Sequence, residues 1–313
     1  MSSYRALAVL VFFFGFLVGP VSLFAQGTAN SHQVPITVTV TVLGSNYMPA
    51  PPVPKEDVTV HSGKTPLKVT GWRDAHSGEQ GNLQLAILID EDAGTSLLGQ
   101  QLSDLSNFIE GQPKTADVGV FYARNGSAYA AAPFNADHEE AAKSLRLTLG
   151  RSGSSPSIYM SLADLASHWP SSQAGRREVL MICNGNDGLY PGFEDPYFES
   201  ALQTVQKAGV NVHTVYVGAQ AYAQSFQGDI SQGKLVQVTD DTGGQSFFEA
   251  LSTPISFAPY LDKLNHVLNN QYLLTFVIDR SKEKKGQFRE IQVRTEERNV
   301  KVSAPDEVFV PGL

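Results

Sequence analysis

The sequence predicts an α/β fold: a doubly wound, mostly parallel sheet that is inserted in, or flanked by, a small antiparallel β-sandwich made of N- and C-terminal strands. Uninterrupted apolar runs of strand length, such as Leu85–Ile89 and Val179–Cys183, are typical of parallel strands covered on both faces. Segments with apolar residues at helical spacing separate these runs, as in alternating strand and helix units. Near both ends of the chain, apolar and polar residues alternate, which predicts half-buried antiparallel strands.

The first 25 residues carry the features of a secretory signal peptide. Arg5 supplies the positive charge, Ala6–Val18 forms an apolar core, and Ala25 fits a cleavage site. An uncleaved anchor helix is the alternative, although Pro20 interrupts the apolar run and leaves it short for a membrane span. We therefore expect an exported protein, periplasmic or secreted, with no integral membrane span in the mature chain. The oligomeric state stays open.

Composition narrows the classes of function. The formal net charge is −8, and it becomes −8 − 1 = −9 without the leader, which argues against nucleic acid as the main partner. Cys183 is the only cysteine, so the chain has neither an internal disulfide nor a cysteine cluster for zinc, and we expect a small core residue there. His213 falls in a predicted strand and is expected to be a core or edge histidine.

The flanking β structure is divided between the two ends of the chain. We predict a signal peptide (1–25), N-terminal β strands (26–80), an α/β domain (81–256), and a linking helix with C-terminal β strands that pack with 26–80 (257–313). A polar boundary at Asp74–Gly81 separates the N-terminal strands from the α/β domain, and a proline-rich connection at Met48–Pro54 lies within the N-terminal part. The predicted flanking elements are the strands Gln33–Val42, Asp57–Val60, Leu67–Trp72, Tyr272–Ile278, Phe288–Val293, Val300–Val302 and Val308–Val310, and the helix Phe257–Leu268.

The α/β domain alternates strands with helices. Its first helix is expected to start near Gly94 or Thr95, and Gly209 suits the left-handed stop of a later one. Asp240–Gly244 is interpreted as a turn that leads into a last edge strand. The other predicted elements are the strands Asp117–Tyr122, Gly126–Ala131, Glu178–Cys183 and Val210–Val217, and the helices Asp137–Leu149, Ser157–Trp169 and Asp195–Ala208.

Three polar loops are expected to meet at the C-terminal edge of the parallel sheet, where open α/β sheets bind ligands. They are Asp90–Ser96, Gly153–Ser157 and Asn184–Gly188. Carboxylate, hydroxyl and carboxamide oxygens are the ligands that Mg²⁺, Mn²⁺ and Ca²⁺ prefer. The candidate metal ligands are Asp90, Asp92, Ser96, Ser155, Asn184 and Asp187.

This order of loops resembles the von Willebrand factor type A (VWA) domain over Leu83–Phe248. The flanks, among them Lys55–Val60 and Asn270–Thr275, look like the exported VWA-related proteins typical of Acidobacteria. The resemblance implies a Rossmann-like fold, an extracytoplasmic location and a binding role. In that family a metal-ion-dependent adhesion site (MIDAS) uses an Asp-x-Ser-x-Ser motif, a threonine from the second loop and an aspartate from the third.

The adhesion-site motif is degenerate in this chain. Asp90 keeps the first acid, but Asp92 and Gly94 stand where the motif has its two serines, and Asn184 replaces the third-loop aspartate. Ser155 stands in for the threonine. The sequence therefore offers no complete ligand set for the one divalent cation that such a site would bind. The alternative to metal binding is that these acids cap the helix that follows.

The leading hypothesis is an exported, non-enzymatic protein of adhesion or assembly type that binds a protein or peptide partner at this edge. A structural subunit of an envelope complex with a silent metal site is the first alternative. A metal-dependent hydrolase that uses Asp90, Asp92 and Asp187 is the second. Enzyme motifs are missing, since the chain contains neither a Gly-x-Ser-x-Gly elbow nor a phosphate-binding Gly-x-x-x-x-Gly-Lys-Ser/Thr loop.

Overall fold

Two six-stranded sheets organise the fold, one mostly parallel and the other antiparallel. The computed structural model describes residues 32–76, 82–91, 99–148, 157–170, 175–187, 192, 194–218, 223–247, 253–281 and 285–312, all within the structural unit His32–Leu313. The strands are β1 (Gln33–Leu43), β2 (Val58–Ser62), β3 (Thr65–Asp74), β4 (Leu83–Asp90), β5 (Asp117–Arg124), β6 (Ser127–Asn135), β7 (Arg176–Cys183), β8 (Val210–Tyr216), β9 (Ser246–Phe247), β10 (Gln271–Asp279), β11 (Gln287–Glu290), β12 (Gln292–Thr295), β13 (Lys301–Ser303) and β14 (Glu307–Val310). The helices are α1 (Gly99–Glu110), α2 (His138–Lys143), α3 (Ile158–Ser167), α4 (Pro196–Lys207), α5 (Phe226–Thr242) and α6 (Ala258–Asn269).

The mostly parallel sheet has the strand order β6-β5-β4-β7-β8-β9, and only β6 at its edge runs antiparallel to its neighbour. Every residue of β4 is buried. Side chains alternate across a strand, so Leu85, Ile87 and Ile89 pack with α1, α2 and α6 on one face. Ala86 and Leu88 pack with α3, α4 and α5 on the other. The sheet is therefore doubly wound, as the apolar run predicted.

The antiparallel sheet has the strand order β12-β2-β3-β10-β1-β13, and β11 pairs with β14 beside it. Its longest ladder joins β1 to β10, from Gln33 opposite Asp279 to Thr41 opposite Gln271. Val40, Leu274 and Phe276 lie in a third apolar core on this sheet. The antiparallel sheet thus combines strands that precede the parallel sheet in the chain with strands that follow it.

Three predicted elements differ from the structure. Phe226–Thr242 forms helix α5, and Gly243 ends it at φ 77°, so the predicted turn at Asp240–Gly244 contains the last turn of a helix. The apolar pattern did not indicate this helix because polar residues, among them Ser231 and Lys234, occupy its buried face. Helix α2 ends at Lys143, short of the predicted Leu149. The predicted strand Phe288–Val293 is divided at Ile291 between β11 and β12, which pair with different strands.

A fully buried polar network joins the two sheets. His213 lies on β8 with its side chain fully buried, and its Nδ1 accepts a hydrogen bond from the Gln245 backbone N–H at 3.1 Å. Its Nε2 therefore carries the proton and donates to Glu178 Oε2 on β7 at 2.8 Å. Glu178 Oε1 accepts from Gln271 Nε2 on β10 at 2.9 Å, and Arg176 donates to Gln271 Oε1 at 3.0 Å. His213 is thus a core histidine, as predicted, with a connecting role.

We expect the substitution Glu178→Leu to destabilise the protein by about 3 kcal/mol, because it leaves two buried donors, His213 Nε2 and Gln271 Nε2, without their acceptor and removes the negative charge near the buried Arg176. Glu178→Gln keeps an acceptor and should cost less. Urea unfolding of both variants measures the difference, with Glu139→Leu at an exposed carboxylate as the control. An unfolding free energy of Glu178→Leu equal to that of the control would contradict a supporting role for the network.

Acidic residues gather where α5 ends beside α4 and the loop before β14. The pKa of Asp241 is raised from its ordinary 3.8 to about 6, mainly by burial and also by the charges of Asp306, Glu199 and Asp240, while a hydrogen bond from Gln237 opposes the shift. A raised pKa means that the folded state holds this proton more tightly than the unfolded chain does. The resulting stabilisation is complete below about pH 4 and is lost as the pH rises through about 6.

The isosteric substitution Asp241→Asn should therefore stabilise the protein at pH 7.5 and have little effect at pH 4. The expected gain is on the order of 1 kcal/mol, less than the full shift implies, because the side chain is only half-buried and solvent screens its charge. Thermal unfolding at both pH values tests this. An equal difference in unfolding temperature between variant and wild type at the two pH values would show that the raised pKa does not belong to Asp241.

Candidate functional site

The C-terminal ends of β4 and β7 lie side by side at one edge of the parallel sheet. These strands are neighbours and run parallel, with Ile89 opposite Ile182. Asp90 ends β4, and Asn184 directly follows β7. The two residues therefore lie at the same edge, as the apolar strands with polar ends predicted.

The predicted ligands divide into two groups. Asp90, Asn184 and Asp187 lie at this edge, whereas Asp92, Ser96 and Ser155 lie outside the described residues. Asp90 is only 6% exposed. Cys183 lies fully buried, and burial, together with the charge of Asp90, raises the pKa of its thiol well above the ordinary range. Cys183 is accordingly the core residue that the sequence predicted.

The buried carboxylate of Glu91, which follows β4, pairs with two partly exposed arginines. Its Oε1 lies 2.6 Å from an Arg146 nitrogen, and its Oε2 lies 3.9 Å from Arg124 Nε. The Arg146 guanidinium also lies over the Tyr122 ring at 3.9 Å, and Tyr122 Oη donates to the Arg146 carbonyl at 2.9 Å. This carboxylate is thus neutralised from within the protein. Sequence reasoning did not identify Arg146, because the pairing joins segments that are distant in the chain.

The loop after β7 is held against α5. Gly185 has φ 70°, and a Cβ there would come within 2.7 Å of both Leu235 Cγ and the Ser231 carbonyl oxygen. Only glycine fits this approach without strain. Asn184 Oδ1 accepts a hydrogen bond from the Asn186 backbone N–H at 2.8 Å, which closes the loop locally. This close contact between the loop and α5 determines the position of Asp187, which follows two residues later.

Asp187 belongs to a buried group that we call the Lys234 cluster, formed by Ser157, Asp187, Asp195 and Lys234. Lys234 Nζ lies 2.5 Å from Asp195 Oδ2 and 3.7 Å from Asp187 Oδ2. Ser157 Oγ donates to Asp187 Oδ2 at 2.8 Å. None of the four is more than 6% exposed. The cluster therefore connects the loop after β7 with the first turns of α3 and α4 and with the middle of α5.

The two carboxyl groups of the Lys234 cluster differ in acidity. Burial raises the pKa of Asp187, and its hydrogen bond to Asp195 raises it further, against the opposing effect of Ser157. Burial alone would also raise the pKa of Asp195, but the Lys234 ammonium and the Phe198 N–H hold it below the ordinary value. Asp195 additionally caps α4, where it accepts from the Tyr197 and Phe198 N–H groups. Asp187 is therefore the member that retains a proton more readily.

The described side chains do not fit a divalent cation. Within the described ranges, no group of three or more His, Cys, Asp or Glu side chains is placed to hold a metal ion. Asp187 Oδ2 accepts from Ser157 and faces the ammonium of Lys234. The positive charge of the Lys234 ammonium thus already lies next to this predicted ligand, and it would repel a metal cation bound beside it. Sequence reasoning missed Lys234 because α5 was not predicted.

Comparisons with protein families and with curated proteins both find no match. Among solved structures, the chain is similar to an aerotolerance-related membrane protein from Bacteroides fragilis, with 13% identity, coverage of 60% of this chain and 98% of that chain, and a TM-score of 0.42. It is similar to the SpRpn10 VWA domain, with 10% identity, coverage of 58% and 94%, and a TM-score of 0.39. It is also similar to proximal thread matrix protein 1 from the mussel byssus, whose MIDAS motif is occupied by zinc, with 11% identity, coverage of 63% and 48%, and a TM-score of 0.41. These scores are too low to assign the chain to a family.

We expect Lys234→Met to destabilise the protein by about 3 kcal/mol, because it leaves two buried carboxyl groups without their counter-charge. Adding Asp195→Asn, which keeps the helix cap, should recover part of the loss. Urea unfolding of both variants provides the measurement, with Lys114→Met at an exposed lysine as the control. A loss no larger than that of the control would show that the ammonium does not stabilise the cluster.

Proposed function

We propose that this chain is an exported, non-enzymatic, VWA-like protein of adhesion or assembly type that binds a protein or peptide partner at the C-terminal edge of its parallel sheet. The observation that carries the proposal is the position of Asp90 and Asn184 at the ends of neighbouring parallel strands. Ligands of open α/β sheets bind outside these ends. The strand order, with one antiparallel edge strand and helices on both faces, is compatible with the VWA resemblance of the sequence.

The proposed chain organisation follows the sequence. The signal-like residues 1–25 support export to the periplasm or the medium. Residues 26–80 and 257–313 supply the antiparallel support, and 81–256 supply the binding domain. Within the residues that the structure describes, no helix combines the length and apolarity that a membrane crossing requires.

Partner binding is proposed to be independent of a divalent cation. In the resembled adhesion site, a carboxylate of the partner completes the coordination of a bound metal. Here two of the described acids near the edge already have counter-charges, since Glu91 faces Arg146 and Asp187 faces Lys234. The half-buried Asn184 and Asn186 instead offer neutral amide groups beside the edge. Hydrogen bonds to a partner can use these amides without any metal ligand set.

Calorimetric titration with Mg²⁺, Mn²⁺ and Ca²⁺ tests the cation independence, and Asp90→Ala serves as the comparison variant. We expect no binding heat from any of the three cations at millimolar concentration. Heat that appears with the wild type and disappears with Asp90→Ala would overturn this part of the proposal, because it would locate a cation at the degenerate adhesion site.

Site-specific photocrosslinking tests the binding edge. A benzoylphenylalanine at Asn186 in the full exported chain should form a discrete adduct with an envelope or extracellular protein, and chelation with EDTA should not reduce its yield. The same probe at the exposed Lys114, away from the edge, is the control. Absence of any adduct at Asn186, or equal adducts at both positions, would contradict the assignment of this edge.

A further inference from the structure

We infer that the opposite end of the parallel sheet carries a second binding site, which takes an extended acidic peptide as an added β-strand. The site is a cleft of about 650 Å³ that we call the edge cleft. Its walls are β1, the N-terminal ends of β7 and β8, the C-terminal end of α4, and β14. This volume lies within the range of about 300–1,000 Å³ that is usual for ligand sites. Because it lies away from the C-terminal edge, it is independent of the proposed function.

The first wall is the open edge of β1. The Val42 N–H donates to the Asn270 carbonyl at 3.0 Å, and the Arg280 N–H donates to the His32 carbonyl at 2.7 Å. These two bonds fix the alternation of the ladder, so even-numbered residues of β1 bond to β10 and odd-numbered residues direct their N–H and C=O groups to the other side. On that side β13 pairs only with Thr41–Leu43.

Thr37 and Thr39 consequently present unpaired backbone groups to the edge cleft. Both residues line it, and among the described residues no backbone hydrogen bond reaches them from the side away from β10. Thr37 is exposed, and Thr39 lies deeper at 7% exposure. Pro35, the preceding odd-numbered residue, has no N–H, as is typical of the open side of an edge strand.

A second open edge faces the first. The Ile291 N–H donates to the Asp306 carbonyl at 2.7 Å, which places the bonded pairs of the β11–β14 ladder at even-numbered residues of β14. Glu307 and Phe309 therefore direct their backbone groups away from β11, and both line the edge cleft. Two rows of backbone donors and acceptors with strand spacing are complementary to an extended peptide, which would gain main-chain hydrogen bonds on entering.

The charges of the edge cleft select an acidic peptide. Arg73, Arg177 and Lys207 line it, against one acid, Glu307, although the chain as a whole carries −8. Arg177 is held in place by donation to the Ala208 carbonyl at 2.6 Å, and Lys207 Nζ lies 4.7 Å from the centre of the Phe309 ring. The adjacent cleft across β14 is lined by five acids and would repel the same peptide: Glu199, Asp241, Glu290, Asp306 and Glu307.

The probe for this site is an acetylated and amidated eight-residue peptide of alternating valine and glutamate, titrated against the full mature chain by fluorescence anisotropy. We expect saturable binding, at least about tenfold weaker binding when lysine replaces glutamate, and none when alternate peptide nitrogens are methylated. Hydrogen exchange followed by NMR should show that the Thr37 and Thr39 amides become protected on binding. Absence of binding up to about 1 mM, or equal binding of the lysine peptide, would overturn the inference.

The decisive variants are Thr37→Pro and its matched control Thr37→Val. Both remove the Thr37 hydroxyl, which bonds Thr275 Oγ1 at 2.9 Å, but only proline removes the N–H that faces the edge cleft. Thr37→Pro should lose at least about tenfold in peptide affinity, whereas Thr37→Val should bind as the wild type does. Lys207→Glu should also weaken binding, and Lys114→Glu should not. Unchanged peptide binding by a folded Thr37→Pro protein would reject strand addition at β1.

Discussion

Burial of β4 on both faces is the constraint on which the rest of the structure depends. A strand with no exposed side chain must place its polar residues at its ends, and β4 ends in Asp90 and is followed by Glu91. Helices have to cover both faces, so the chain must cross from strand to strand over alternating sides. The same constraint brings the ends of β4 and β7 together at one edge. The candidate site is therefore a geometric consequence of how the apolar core is covered.

Charge neutralisation then determines what this edge can do. Acids that lie close to an apolar core need partners, because an isolated buried carboxylate is very costly. Arg146 and Lys234 supply those partners from segments far away in sequence. In adhesion sites of the resembled type, a metal ion carries out this role and leaves a coordination position for the partner. In this chain, the guanidinium of Arg146 and the ammonium of Lys234 are part of the protein itself, so the charges that they supply do not depend on the cation concentration of the solution.

Much of the fold could be predicted from sequence because it follows from local periodicity. The runs at Leu85–Ile89 and Val179–Cys183 identified buried strands, and their polar ends located the edge with Asp90 and Asn184. Helix α5 could not be predicted this way, since it buries Lys234 and other polar residues in place of an apolar stripe. The Lys234 cluster was missed with it, because ion pairs between distant segments leave no periodic signal. The alternation in β1 likewise indicated its faces, but not which of its edges lacks a neighbour.

The ladder between β1 and β10 has a consequence for how the chain acquires its structure. Thr37 contacts Thr275 across a separation of 238 residues, so the N-terminal strand has no neighbour until almost the whole polypeptide exists. Closing so long a loop is entropically expensive, and contacts of this range form slowly. The β1–β10 ladder can thus close only after synthesis has passed Asp279. Until those C-terminal segments exist, the first strand has no partner strand in this sheet, and its backbone groups remain without the hydrogen bonds that β10 supplies.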